Sequence, residues 1–281
     1  MKKITMQEVV SRVEDIPAFP VTITRIIKLT EDPESTVQDI ENEIIQDQSL
    51  TVRVLRFANS THYGYSRKIS TISQATVVLG FQAIKSIALA ATVSKMMTKE
   101  LPGYGLEKEA LWNQSQTCAI AARLIARKAR YPKPDEAYVA GLLRDVGKVI
   151  MDHYLKEEMA AVQDTVEKEL IPFMEAEEKM IGFHHGQIGA KIAEKWNLPE
   201  ELVESIAYHH DPDQASINEK LVAITHMADA MVMMLGIQMG ADGLQYSFST
   251  KAMEMLDLTE IQMQELLSEL IDLVKDEDAF K

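Results

Sequence analysis

The sequence predicts an all-α protein arranged as a two-lobed helical bundle, and three observations support this prediction. Apolar residues recur every three or four positions along most of the 281-residue chain, which is the spacing of one helix face. No segment shows the strict alternation of apolar and polar residues that marks a half-buried strand. Prolines, glycines and capping residues divide the chain into segments of helix length. With 46% hydrophobic residues, such helices can bury a substantial core.

Several short helices are predicted within the first hundred residues. One face of the first helix is formed by Ile23, Ile26, Ile27 and Thr30. Asp32 and Pro33 end this helix, and Ser35 followed by Gln38 has the pattern of a capping box for the next one. Asp47 is placed to cap the helix after that. These signals predict a series of short helices joined by tight turns.

The loop LPGYG is the predicted boundary between the lobes, which gives lobes of residues 1–100 and 101–281. A long helix follows in EALWNQSQTCAIAARLIARKA. In GQIGAKIAEKW, the apolar residues spaced by four on one face are Ile188, Ile192 and Trp196. In the segment LPEELVESIAYHH, Pro199 and the two glutamates after it suit the first turn of a helix.

Composition and charge restrict the class of protein. The net charge is −14, yet residues 1–100 hold 12 basic and 11 acidic side chains, so the acidity lies in the remainder. Because phosphate contacts need concentrated Lys and Arg, this balance argues against general nucleic-acid binding. The N-terminal residues lack the apolar core of a signal peptide, and no stretch is typical of a membrane span. A cytoplasmic protein without membrane contact is expected, with Cys118 as a core thiol.

One segment, VQDIENEIIQDQSLTVRVLRFANS, has the helix-turn-helix order of some DNA-binding proteins. In that interpretation, the side chains that would contact phosphates are Arg53, Arg56, Arg67 and Lys68. The other interpretation is a helical hairpin that packs against its neighbours. The nearly balanced charge of this region favours the hairpin, because it offers little attraction to a polyanion.

The strongest chemical signal lies in the second half of the chain. Four of the seven histidines form two adjacent pairs, His184-His185 and His209-His210. Imidazole nitrogens suit transition metals, and a carboxylate can bind the same ion. The stretch GLLRDVGK adds Asp145, with Arg144 before it and Lys148 after it. Paired histidines also occur as helix caps and as buried polar residues, so the spacing alone leaves both interpretations open.

Characteristic motifs follow one another through both halves. The first half contains DQSLTVRVLRFANSTHYG and ISTISQATVVLG, and the second contains LWNQS, GLLRDVGK, HHGQIGAKIAEKWNLPEELVESIAYHH and HMADA. In this order they resemble the HD superfamily of metal-dependent phosphohydrolases and, more closely, its HDOD family of largely non-catalytic signalling proteins. The resemblance implies that the second lobe is HD-phosphohydrolase-like.

The resemblance also implies a degenerate metal site. The residues that match ligands of the superfamily are Asp145, His185, His209, His210 and Asp229. Gln114 and Arg144 stand where two further histidines are expected. In a two-metal site, the first ion would lose both of these ligands and keep Asp145 and Asp229. The second ion would keep its full set, so either no cofactor or one divalent transition metal is expected.

The function that the resemblance implies is that of a bacterial signalling protein, which regulates partner proteins in trans by binding. A cleft formed by Gln114, Arg144, Asp145 and Lys148 is a candidate site for a small anionic ligand or a nucleotide. Two alternatives remain open, a single-metal phosphohydrolase acting on a nucleotide or another phosphoester, and a DNA-binding regulator. One subgroup of the superfamily cleaves cyclic di-GMP and carries a Gly-Tyr-Pro element after the paired histidines. Here HHDPDQAS stands at that place, which argues against hydrolysis of cyclic dinucleotides.

Overall fold

The protein is described by a computed structural model that covers residues 5, 6, 8, 9, 20–60, 68–237 and 249–275. Within these ranges the secondary structure is helical and no extended strand occurs, which confirms the all-α prediction. The chain divides into two compact units, Met1–Ile16 with Met96–Ser268, and Pro17–Lys95 with Glu269–Lys281. The predicted lobe boundary after residue 100 stays a prediction. None of the described helices is long and apolar enough to cross a bilayer.

The smaller unit contains four short helices and most of a longer one. They are α1 (Val21–Glu31), α2 (Val37–Ile44), α3 (Gln48–Ala58), α4 (Ile72–Leu79) and α5 (Phe81–Met97). The predicted apolar face of α1 is buried along its whole length. The capping box of α2 lies one residue later than predicted, because Thr36 caps the helix and Asp39 closes the box. Asp47 caps α3 as predicted, by accepting a hydrogen bond from the backbone N–H of Leu50.

The end of α3 is fixed by a side chain. Asn59 donates from Nδ2 to the carbonyl oxygens of Leu55 and Ile69, and its Oδ1 accepts the backbone N–H of Ile69. On the same helix, Arg53 donates to Ser49 Oγ at 2.5 Å. Of the residues named for the DNA-binding alternative, Arg67 lies outside the described residues.

The larger unit is built around one long buried helix. Its helices are α6 (Ala110–Lys128), α7 (Pro134–Leu143), α8 (Val146–Tyr154), α9 (Lys156–Glu169), α10 (Phe173–Met180), α11 (His185–Lys195), α12 (Glu200–Tyr208), α13 (Glu219–Met234), α14 (Thr250–Met255) and the first part of α15 (Glu260–Lys275). Cys118 lies in the buried middle of α6, and burial raises the pKa of its thiol. Such a thiol is a core group with little thiolate character, as predicted.

A glycine controls how closely α8 approaches α11. A Cβ atom at Gly147, in the first turn of α8, would lie 1.9 Å from the carbonyl oxygen of His185. The two helix N-termini can therefore meet only because residue 147 has no side chain. Since Asp145 immediately precedes α8 and His185 begins α11, this contact brings those two residues together.

Candidate metal site

Three helix ends place the candidate ligands in the larger unit. Asp145 precedes α8, His185 is the first residue of α11, and His209 and His210 directly follow α12. Side chains from these ends converge, although Asp145 and His210 are far apart in the sequence. The structure thus brings together four of the five predicted metal ligands in one cluster.

The geometry of the cluster fits one metal ion. Asp145 Oδ1 lies 3.2 Å from His185 Nε2 and 3.8 Å from His209 Nε2, and the Nε2 atoms of His185 and His210 are 2.9 Å apart. One ligand atom from each residue lies within 4.8 Å of every other. A tetrahedral ion with metal–nitrogen distances near 2 Å needs ligand atoms about 3.3 Å apart. The observed distances lie around that value.

Two ligand atoms of the cluster lack a hydrogen bond within the described part of the chain, although Lys148 Nζ lies 3.2 Å from one of them, Asp145 Oδ1. Among the described residues, neither Asp145 Oδ1 nor His209 Nε2 makes a hydrogen bond of good geometry, although both atoms are buried. His209 Nδ1 lies 2.9 Å from the carbonyl oxygen of Ile206, so Nδ1 carries the proton and Nε2 presents its lone pair to the cluster. Buried polar atoms without partners are rare in folded proteins, and an ion is one explanation for them.

His185 is oriented by a carboxylate that the sequence did not reveal. Glu177, on α10, is completely buried, and its Oε2 lies 2.8 Å from His185 Nδ1. Because an ionised carboxylate only accepts hydrogen bonds, Nδ1 donates, and Nε2 is the atom that faces Asp145. Glu177 stands in the run MEAEEKM, where its sequence context resembles that of the neighbouring glutamates. No local signal distinguishes it from a solvated residue.

The other predicted ligand, Asp229 on α13, is paired with Arg144. The Arg144 side chain is completely buried, and its Nε donates to Asp229 Oδ1 at 2.5 Å. Its Nη1 donates to the carbonyl oxygen of Gly141, and Nη2 lies 3.1 Å from Asp145 Oδ2. A guanidinium therefore lies between the two carboxylates that a first metal would share.

Gln114 makes no hydrogen bond to these carboxylates among the described residues. It is buried on α6, its Nε2 lies 3.6 Å from the sulfur of Met233, and its Oε1 has no hydrogen-bond partner among the described residues. Lys148 does reach the cluster, with Nζ 3.2 Å from Asp145 Oδ1 and 5.6 Å from the ring centre of Tyr104. The structure thus brings Arg144, Asp145 and Lys148 together, and the predicted anion cleft stays a prediction.

The charges in the cluster shift the pKa values in opposite directions. Burial alone would raise the pKa of Asp145, but Lys148 and Arg144 outweigh it and hold the pKa well below its usual range. Burial alone would lower the pKa of His185, but Glu177 and Asp145 outweigh it and raise the pKa to about 9. Burial dominates at His209, whose pKa falls to about 3. Burial also lowers the pKa of His210, so two neutral imidazoles, His209 and His210, lie beside His185, which holds its proton more firmly.

Two further histidines support the cluster from outside. His184, the first member of its pair, caps α11 by accepting the N–H of Gly186 at Nδ1, and burial lowers its pKa to about 4. His226, on α13, donates from Nδ1 to the carbonyl oxygen of His209 at 2.8 Å, while its Nε2 accepts the N–H of Ser249. His62, the one histidine within residues 1–100, lies outside the described residues.

Comparisons with known proteins agree with this architecture. The family model of the HDOD domain matches residues 16–212. A Treponema pallidum (strain Nichols) protein without an assigned function is 26% identical over 204 residues, which cover 72% of this chain and 39% of that protein. The YuxH protein of Bacillus subtilis (strain 168) is 28% identical over 131 residues, covering 44% and 31% respectively. The matched segments therefore cover well under half the length of either relative.

Solved structures show the same fold. An HDOD domain protein of unknown function from Geobacter sulfurreducens is 28% identical, with a TM-score of 0.76, over 98% of this chain and 92% of that one. A Marinobacter aquaeolei VT8 protein, provisionally named a signal transduction protein, is 22% identical with a TM-score of 0.74, over 94% and 58%. A Shewanella amazonensis SB2B protein, provisionally named a phosphohydrolase, is 23% identical with a TM-score of 0.69, over 93% and 97%.

At these last two identities the similarity establishes the fold alone. The family match, in contrast, extends over most of the chain and includes the segments that carry Asp145, His185 and His209. The chain belongs to the HDOD family.

Proposed function

We propose that this chain is a regulatory HDOD protein that acts in signal transduction by binding and does not hydrolyse phosphoesters. The observation that carries the proposal is the position of Arg144, whose guanidinium contacts both Asp145 and Asp229. An arginine remains protonated at any physiological pH, so it is a permanent cation in that position. A divalent ion beside it would meet electrostatic repulsion and would find both carboxylates already paired.

The proposed binding partners are signalling proteins in trans, together with a small anionic ligand or a nucleotide. Two cations, Arg144 and Lys148, lie beside Asp145, which favours an anion over a cation as a small-molecule ligand. Arg144 itself is fully buried, so an incoming anion would meet Lys148 first, whose side chain is 6% exposed.

A single-metal phosphohydrolase is the second candidate, and the four converging ligands favour it. Asp145, His185, His209 and His210 would hold the ion, and their mixture of three imidazoles and one carboxylate suits a transition metal. A divalent ion bound there would lower the pKa of a water molecule on it. Arg144 would then hold Asp145 through Oδ2, while Oδ1 would face both the histidines and Lys148 Nζ.

The experiment that separates the candidates measures metal content and turnover together. The full chain is purified without added metal or chelator, its metals are quantified, and a panel of nucleotides and phosphoesters is assayed. We expect no turnover and no more than one transition metal per chain. Turnover that disappears in His209→Ala would establish the hydrolase instead.

A gain-of-ligand variant tests the role of Arg144 directly. The double substitution Gln114→His with Arg144→His restores both histidines that the superfamily pattern requires. We expect this variant to bind one more metal ion per chain than the unmodified protein. If its metal content is unchanged, the guanidinium is not what excludes the first ion.

A further inference from the structure

We propose that Glu177 and Tyr104 are positioning residues of the metal site, which hold His185 in the orientation needed to bind an ion. Together the three residues form a hydrogen-bonded chain that runs from Tyr104 through Glu177 to His185. The inference rests on the capacity of the four-ligand cluster for one metal, as described for the second candidate function.

Glu177 uses both carboxylate oxygens in this chain. Its Oε2 accepts the backbone N–H and the Nδ1–H of His185, each at 2.8 Å, and its Oε1 accepts the hydroxyl of Tyr104 at 2.5 Å. Contacts at both oxygens prevent the carboxylate from rotating. Contacts at both the backbone and the ring of His185 fix the ring plane, so Nε2 stays directed at Asp145.

Tyr104 is itself held in place from several sides. It ends the 3-10 turn Pro102–Tyr104, its ring centre is 5.0 Å from that of Phe173, and it is almost fully buried. The preceding Gly103 donates its N–H to Asp152 on α8 at 2.7 Å, which anchors the turn to the helix that follows Asp145. The packing and the anchored turn thus fix the position of the Tyr104 hydroxyl.

This arrangement has a defined consequence for an ion. A metal-binding histidine whose other nitrogen donates to a carboxylate is fixed in tautomer and orientation and is a stronger donor. Loss of such a partner weakens metal binding by about 10- to 100-fold. The effect arises without any change in the ligand atoms, which separates a positioning residue from a ligand.

The test measures Co²⁺ binding by the full chain after removal of bound metals with a chelator. Dissociation constants come from competition with a coloured chelator, and the visible absorption bands of Co²⁺ report the coordination geometry. For Glu177→Gln we expect binding weakened by about 10- to 100-fold together with altered bands. For Tyr104→Phe we expect a loss of about fivefold, the size of one hydrogen bond.

Matched controls separate positioning from general destabilisation. Glu204 is also a buried carboxylate, but it accepts hydrogen bonds from residues 216–218 and makes none with a histidine among the described residues. Tyr131 is a buried tyrosine bonded to Glu136. We expect Glu204→Gln and Tyr131→Phe to bind Co²⁺ with the affinity and spectrum of the unmodified chain, and each variant's thermal unfolding is recorded alongside.

Three results would overturn the inference. They are the absence of Co²⁺ binding by the unmodified chain, wild-type affinity and bands in Glu177→Gln, and equal weakening in Glu177→Gln and Glu204→Gln. Phosphoester turnover by the unmodified chain would contradict the proposed regulatory function and leave this inference intact, so the two failures are distinguishable.

Discussion

The carboxylates in the two halves of one buried site have different partners. In the charge-paired half, formed by Arg144 and Asp229, a guanidinium built into the chain lies 2.5 Å from the carboxylate. In the histidine half, formed by Asp145, His185, His209 and His210, one Oδ1 and one Nε2 atom lack hydrogen-bond partners among the described residues. The Asp229 carboxylate is thus paired with a cation, whereas Asp145 Oδ1 and His209 Nε2 make no hydrogen bond of good geometry among the described residues, although Lys148 Nζ lies 3.2 Å from that oxygen.

Under the proposed function, Arg144 closes a metal position without filling it with apolar side chains. A buried carboxylate is costly unless it is paired, so losing a metal leaves a charge that something must compensate. Arg144 compensates it with a cation that cannot dissociate or lose its proton. The histidine half keeps four candidate ligands whose side chains converge.

The largest expected effect comes from removing the cation of the charge-paired half. Arg144→Met leaves Asp229 buried without its partner, and such a loss destabilises by about 3–5 kcal/mol. Urea unfolding of the metal-free protein measures this change. A loss of less than about 1 kcal/mol would mean that solvent or another group compensates Asp229.

A second substitution, at Asp229, tests whether the loss comes from the unpaired carboxylate. In Arg144→Met combined with Asp229→Leu, no charge of the pair remains to be compensated, so we expect much of the lost stability to return. The double-mutant cycle gives the coupling between the two residues. Additive losses would show that the two residues do not stabilise each other.

The next largest effect is expected from moving α8, and with it Asp145, away from α11. Gly147→Ala places a Cβ 1.9 Å from the His185 carbonyl oxygen, so α8 must move away from α11. We expect a destabilisation of about 3 kcal/mol from overpacking. Asp145 should also move away from His185, which weakens Co²⁺ binding. Unfolding and Co²⁺ titration check both effects, and unchanged metal affinity would separate the packing of these helices from the site.

A smaller, pH-dependent effect is expected at Glu204, a buried carboxylate whose hydrogen-bond donors are mostly backbone N–H groups. Burial on its own would raise the pKa of Glu204, but the N–H groups of Asn218, Ser216 and Ile217 outweigh it and lower the pKa. The stabilisation is therefore complete above the unfolded-state pKa of 4.5 and is lost as the pH falls through the lower folded-state pKa.

The substitution Glu204→Gln tests the direction of this pH dependence. At neutral pH, Glu204→Gln should cost about 2 kcal/mol, because N–H groups of the turn lose a charged acceptor. The difference from the unmodified chain should shrink as the pH falls below 4.5. Urea unfolding at several pH values measures it, and a difference that grows in acid would contradict the assignment.

The smallest effect is expected at an ion pair on the surface. Lys128 and Glu265 lie 2.7 Å apart, but their side chains are 34% and 59% exposed. Lys128→Ala should therefore change stability by less than about 1 kcal/mol, and added salt should reduce even that. A loss as large as that of Arg144→Met would remove the distinction between buried and exposed pairs.

The sequence by itself determined the helical class and most of the candidate ligands. Periodic apolar residues and caps such as Asp47 act over a few positions, so they can be recognised without a structure. The resemblance to a known family identified Asp145, His185, His209 and His210, which the structure brings into one cluster. It also identified Arg144 as the departure from the pattern, though not where its side chain lies.

Tertiary structure alone decided what surrounds those ligands. The Tyr104–Glu177 hydrogen bond joins residues 73 positions apart, and nothing in the local sequence marks either of them. Likewise, His184 and His185 are identical neighbours, yet one caps a helix and the other enters the cluster. Local signals record which conformation a segment prefers, whereas such contacts depend on how distant helices pack, and packing is a property of the whole fold.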